Sequence, residues 1–188
     1  MMREMVKTKS GLYLPNPVIV RALLRQRPEE NVAVILHDDK RILDLIFGKN
    51  IVTDEGDKFY GQSACGEVPD HAFSDLYLAS AGPAIPAKDD DRSDFTDIAG
   101  SNRTKSGGYP KTNDADPDNT GAGVDVISWL FSYSTGDGPF AGITHGYITV
   151  NAPGAAEHLL CSMKFGAAWA KDGDTSAKIF VNHTCNGI

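Results

Sequence analysis

The sequence predicts a mainly β chain: an antiparallel β-sandwich, jelly-roll-like, with one short helix and an extended N-terminal arm. Three observations carry this expectation. Nineteen glycines and ten prolines among 188 residues disfavour helix interiors, glycine through backbone entropy and proline through its missing N–H. Short apolar runs recur between turn-forming clusters at Asp38-Asp39-Lys40, Gly136-Asp137-Gly138-Pro139, Asn151-Ala152-Pro153-Gly154 and Lys171-Asp172-Gly173-Asp174, the spacing of strands joined by turns. A 41% hydrophobic content supplies a real core, which sets the chain apart from a wholly disordered one.

The elements follow in order. Leu14-Pro15 and Asn16-Pro17 hold the first seventeen residues extended, because proline pushes its predecessor out of the helical region. Residues 18–26 are apolar but too short for periodicity to separate helix from strand. Val32–His37 reads as a strand, and Ile42–Phe47 returns as its hairpin partner. Thr53 or Asp54 N-caps a short helix over 54–64, with acids in its first turn facing the positive end of the helix dipole. Gly56 and Gly61 weaken that helix. Strands are expected at 73–79, 124–133, 143–150, 159–165 and 177–181, and Ile127, Trp129, Phe131 and Tyr133 share one face. Two units result: residues 1–49, an arm plus hairpin, and residues 50–188, a β-sandwich domain. The polar stretch 80–123 exceeds the usual loop limit of about 12–15 residues, so a mobile segment or one ordered by a partner subunit is expected there.

Charge is unevenly spread. Residues 1–50 carry nine Lys/Arg against six acids, and the rest carry nine against nineteen. The ends therefore stand at +3 and −10, a separation that favours association between copies. The acidic balance opposes a direct nucleic-acid role, which needs a basic stripe. No apolar run reaches the roughly 18–20 residues that cross a bilayer, and the first seventeen residues have bases without an apolar run behind them, the pattern of a chain without a secretory signal. Cys65, Cys161 and Cys185 lie far apart and lack metal-site spacing. They read as reduced thiols, with an interchain disulfide as the alternative.

Asp114, Asp116, Asp118 and Asp125 occupy positions 1, 3, 5 and 12 of a Ca²⁺-loop spacing. Oxygens at alternate positions suit Ca²⁺ because a tight loop turns them inward. Against this, Asn119 replaces the expected glycine, Pro117 intervenes, and flanking helices are missing, so a solvated loop competes with the metal reading. No other cofactor is expected. Asp89-Asp90-Asp91 with Asp94 lies between Lys88 and Arg92 and reads as a locally balanced surface run. The five histidines show no HxH or HExxH spacing, and neither a GxSxG elbow nor a Walker loop occurs. An enzyme is not expected.

The order of signals resembles small structural proteins of tailed bacteriophage virions. The matching pieces are Asn50-Ile51-Val52-Thr53-Asp54-Glu55-Gly56, Leu76–Gly82, Pro86–Asp91, the strand pair in 126–150, and Ile179–Thr184. They span residues 50–188, about three quarters of the chain. The resemblance implies a non-enzymatic virion component, decorating or cementing a capsid or belonging to a neck, collar or tail. It implies homo-oligomers and partners among major capsid, portal, neck or tail proteins, with residence in the host cytoplasm before assembly. The arm and the 80–123 loop would then be ordered by neighbours. The alternative is a carbohydrate- or receptor-binding β-sandwich module using Tyr109, Tyr133 and Trp169, since sugar faces stack on rings.

Overall fold

The computed structural model describes residues 5–7, 13–15, 30–38, 42–112, 124–150 and 158–186. In chain order the elements are β1 (Met5–Lys7), β2 (Tyr13–Pro15), β3 (Val32–His37), β4 (Ile42–Val52), helix α1 (Asp54–Ala64), β5 (Phe73–Ala81), a 3₁₀ turn (Arg92–Asp94), β6 (Thr96–Asp97), β7 (Arg103–Thr104), β8 (Lys111–Thr112), β9 (Val124–Tyr133), β10 (Phe140–Val150), β11 (Leu159–Lys171) and β12 (Ser176–Asn186). The mainly antiparallel β class, with one short α-helix among the described residues, is as the sequence implies. The main strands hydrogen-bond as one continuous sheet, in the order β6-β5-β10-β11-β4-β3-β12-β9-β8, with β7 also on β5. This sheet curls around one interior as a half-barrel, an arrangement consistent with the expected sandwich. Within the N-terminal arm, β1 and β2 pair with each other in a small antiparallel ladder.

Period-two alternation decides which side chains face inward. Val32, Val34 and Leu36 of β3, Trp129, Phe131 and Tyr133 of β9, and Ala177, Ile179 and Val181 of β12 join Ile143, Ile148, Cys161 and Met163 in the interior cluster. The intervening Ala33, Ile35 and Phe180 form a second cluster with Leu45, Phe47 and Leu130 on the opposite face. Each fully buried large apolar side chain contributes about 1.5–3 kcal/mol. Exposed pairs such as Lys58–Asp70 are screened by solvent and contribute little. The interior, therefore, holds the fold.

Several strands outrun their expected ends. β11 continues past Phe165 through the weak signal of Gly166-Ala167-Ala168, because β10 supplies ladder partners as far as Trp169 and Lys171. The partition at residues 49 and 50 also needs correction. β4 runs unbroken through both positions, and β3 and β4 lie between β12 and β11. The hairpin is thus the middle of the sheet rather than an attachment to it.

The long polar segment is corrected as well, for its described part. Residues 80–112 pack on the chain's own sheet without help from a neighbour. Phe95 covers Tyr147 on the outer face (ring centroids 4.9 Å apart), and the Tyr147 hydroxyl donates to Asp97 Oδ1 at 2.7 Å. Further on, Ser101 Oγ donates to the Leu78 carbonyl and accepts from the Leu78 N–H, both at 3.1 Å. β7 then pairs with β5 and β8 with β9. Between them Lys105 N–H bonds to the Ser74 carbonyl and Ser106 N–H to the Leu130 carbonyl, each at 2.8 Å. Consecutive amides reaching opposite edges is what a strand between two strands does, so this strap joins the sheet's edges. Residues 113–123 lie outside the described residues.

Candidate functional site

The site lies where α1 meets the first residues of β5 and β11. Thr53 N-caps the helix: its Oγ1 accepts from the Gly56 N–H at 3.2 Å and donates to the Leu159 carbonyl. The Thr53 N–H bonds to the Leu160 carbonyl at 3.1 Å. One capping residue thereby fixes the helix start to the start of β11, which explains its burial and sets Glu55 beside His158. The loop from α1 to β5 is tied back in turn. Lys58 pairs with Asp70 at 2.7 Å, which holds the Asp70 carboxyl below its usual range, and Asp70 N–H donates to Gln62 Oε1 at 3.2 Å. His71 follows immediately.

Three side chains converge as a result. The His71 and His158 rings stack with centroids 3.7 Å apart and planes at 22°. Glu55 Oε2 lies 3.6 Å from His71 Nε2 and 3.8 Å from His158 Nδ1. One donor atom from each residue falls within 4.8 Å of the other two. The Glu55 Oε2 atom is buried and has no hydrogen-bond partner. Chemically this is an N₂O donor set on a partly exposed surface. Beside it opens a shallow groove of about 610 Å³, lined by Phe59, His71, Phe73, Lys105, Pro110 and Trp129 among others.

A buried polar network lies under the same helix. Trp129 Nε1–H donates to Tyr60 Oη at 3.0 Å, and Tyr60 Oη shares a hydrogen bond with His183 Nδ1 at 2.5 Å. The other ring nitrogen, His183 Nε2, is buried and unpartnered. Desolvation drives the His183 pKa down to about 3, which keeps the ring neutral.

The residues singled out from sequence are placed as follows. Asp114, Asp116 and Asp118 lie outside the described residues, and the Asp125 backbone belongs to β9, opposite Cys185. The Asp89–Asp94 run shapes a turn. Asp90 Oδ2 accepts from the Ala87 N–H at 2.9 Å, and Asp91 and Asp94 form a reciprocal capping box on the 3₁₀ turn. Cys65 is exposed and Cys161 buried, both as free thiols. Of the three rings expected of a carbohydrate reader, Tyr133 and Trp169 are buried in the interior cluster, which corrects their part in a platform, and Tyr109 is half-buried with the Lys111 ammonium over its ring.

The histidine pair escaped sequence reasoning because its members stand 87 positions apart. Its signal is topological. β5 and β11 both pair antiparallel with β10, so they run in the same direction and start at the same end. Thr149 is opposite Asp75 on one side and Leu159 on the other. Residues just ahead of those two strands must meet beyond the end of β10.

No protein-family model, curated protein or solved structure matches this chain.

Proposed function

We propose that this chain is a non-enzymatic assembly subunit of the tailed-phage virion kind, a capsid-decorating, neck, collar or tail component. Its basic N-terminal segment docks on the acidic face of a neighbouring copy or partner. The observation that carries this reading is how the acids are gathered. Asp54 N–H bonds to the Lys88 carbonyl at 3.0 Å, and the Lys88 ammonium pairs with Asp57. That joins the first turn of α1 (Asp54, Glu55, Asp57) to the run Asp89, Asp90, Asp91 and Asp94. The first turn of the helix and the acidic run are thereby neighbours, with Lys88 and Arg92 interspersed in sequence and Lys58 paired with Asp70 on the same helix. Ile85 (81% exposed), three residues before Lys88, and Val68 (90% exposed), in the loop after α1, offer apolar area to a partner. Because the strap covers the β5 and β9 edges, charge and side-chain contact carry the association rather than edge-strand pairing.

Light scattering coupled to size-exclusion chromatography tests the reading. The full chain should self-associate at low ionic strength and dissociate at high salt, since screening sets in at about 10 Å in 0.1 M salt. The triple charge reversal R21E/R25E/R27E should abolish the association. A monomer at every salt concentration that also fails to sediment with tailed particles would overturn the proposal.

A further inference from the structure

We infer that Glu55, His71 and His158 form a binding site for a divalent transition-metal ion of the Zn²⁺ class. Three protein ligands hold the ion, and its fourth position faces solvent. This assignment stands apart from the assembly role.

The spacings carry the argument. Glu55 Oε2 lies 3.6 Å and 3.8 Å from the two imidazole nitrogens. Direct hydrogen bonds need about 2.7–3.2 Å, and a bridging water would hold its partners about 4.5 Å apart. Two ligands bound tetrahedrally at about 2.1 Å from a zinc ion are about 3.4 Å apart. The two Glu55 gaps fall near the last value, and the stacked rings splay on binding so that both in-plane nitrogen lone pairs reach the ion. Glu55 Oε2 is moreover buried without a hydrogen-bond partner, a costly condition that coordination relieves. Two imidazoles and one carboxylate suit Zn²⁺ and its neighbours, whereas Ca²⁺ and Mg²⁺ take oxygen-only sets. The scaffold is fixed on all three sides: Thr53 ties α1 to Leu159, next to His158, and Lys58–Asp70 ties α1 to the loop bearing His71. The three side chains stay partly exposed, at 25%, 35% and 41% for His71, His158 and Glu55, leaving an approach for a water or an incoming donor.

The test uses the full chain, stripped by chelator and dialysed, with Zn²⁺ and Co²⁺ as probes. Calorimetric titration should show one Zn²⁺ per chain, and Co²⁺ should give the intense visible absorption of a four-coordinate site. Since losing a supporting residue around a metal already costs about 10–100-fold in affinity, H71A, H158A and E55Q should each weaken Zn²⁺ binding by at least about a hundredfold. E67Q, on an exposed residue away from the cluster, should bind as wild type. Should a histidine variant lose its circular dichroism spectrum, E55Q, which keeps the side-chain shape, decides the matter. Absence of saturable Zn²⁺ binding, or undiminished binding by E55Q, would overturn the assignment.

Discussion

Acid should destabilise this protein through His183, and the size of the effect follows from burial. The ring is 1% exposed, neutral, and hydrogen-bonded to Tyr60, with its folded pKa near 3 against 6.5 ordinarily. The unfolded chain therefore takes up the proton first. Stability from this group is complete above about pH 6.5 and declines as pH falls towards 3. Integrating the linkage between pH 7 and pH 5 gives a loss of about 2 kcal/mol, large beside the roughly 5–15 kcal/mol of a whole domain. His37 and His145, whose pKa values are also lowered by desolvation, add losses of the same sign, so the wild-type slope alone does not isolate His183. The variant H183Q does, because the glutamine amide can donate to or accept from Tyr60 and does not titrate. Urea unfolding at pH 7 and pH 5, followed by the fluorescence of buried Trp129 and Trp169, measures both proteins. The difference between the two pH values should be about 2 kcal/mol smaller in H183Q. Equal losses in both proteins, or an NMR titration placing His183 near 6.5 in the folded state, would refute the reasoning.

Two further outcomes are expected. In G56A the helix gains about 1 kcal/mol of intrinsic propensity, yet the new Cβ would lie 2.1 Å from the Leu160 carbonyl oxygen and 2.7 Å from Val52 Cγ1; overpacking of that kind costs about 1–3 kcal/mol or more, so urea unfolding should show a net loss. In R103A the strap loses its 2.6 Å pair with Asp137 and the guanidinium over the Tyr133 ring, together about 1–2 kcal/mol. Hydrogen exchange should quicken at Lys105 and Ser106 while β3 stays protected, and unchanged exchange would show that the strap is held by other contacts.

Much of the fold was legible because its signals are local. Val32–His37, Asp54–Ala64 and Val124–Tyr133 have the bounds that alternation, capping and turn residues imply. The shared face of Ile127, Trp129, Phe131 and Tyr133 is the one packed inward. Gly56 was legible only as a weakness in a helix, since its reason is the nearby β11 carbonyl. The segment 80–112 misled for a related cause. Its polarity was plain, but Ser101 and Lys105 find their partners at Leu78 and Ser74, and no composition rule reports on such pairings.

The sequence by itself determined the β class, the short capped helix, the alternating inner faces and the unequal charge of the two ends. All of these depend on neighbours within a few positions, where backbone geometry fixes which way side chains point. Only the tertiary structure decided that the hairpin lies mid-sheet, that a polar strap joins the sheet's edges, and that Glu55, His71 and His158 meet. Those outcomes depend on which strands pair and in which direction, a choice settled by burying one interior around the whole chain.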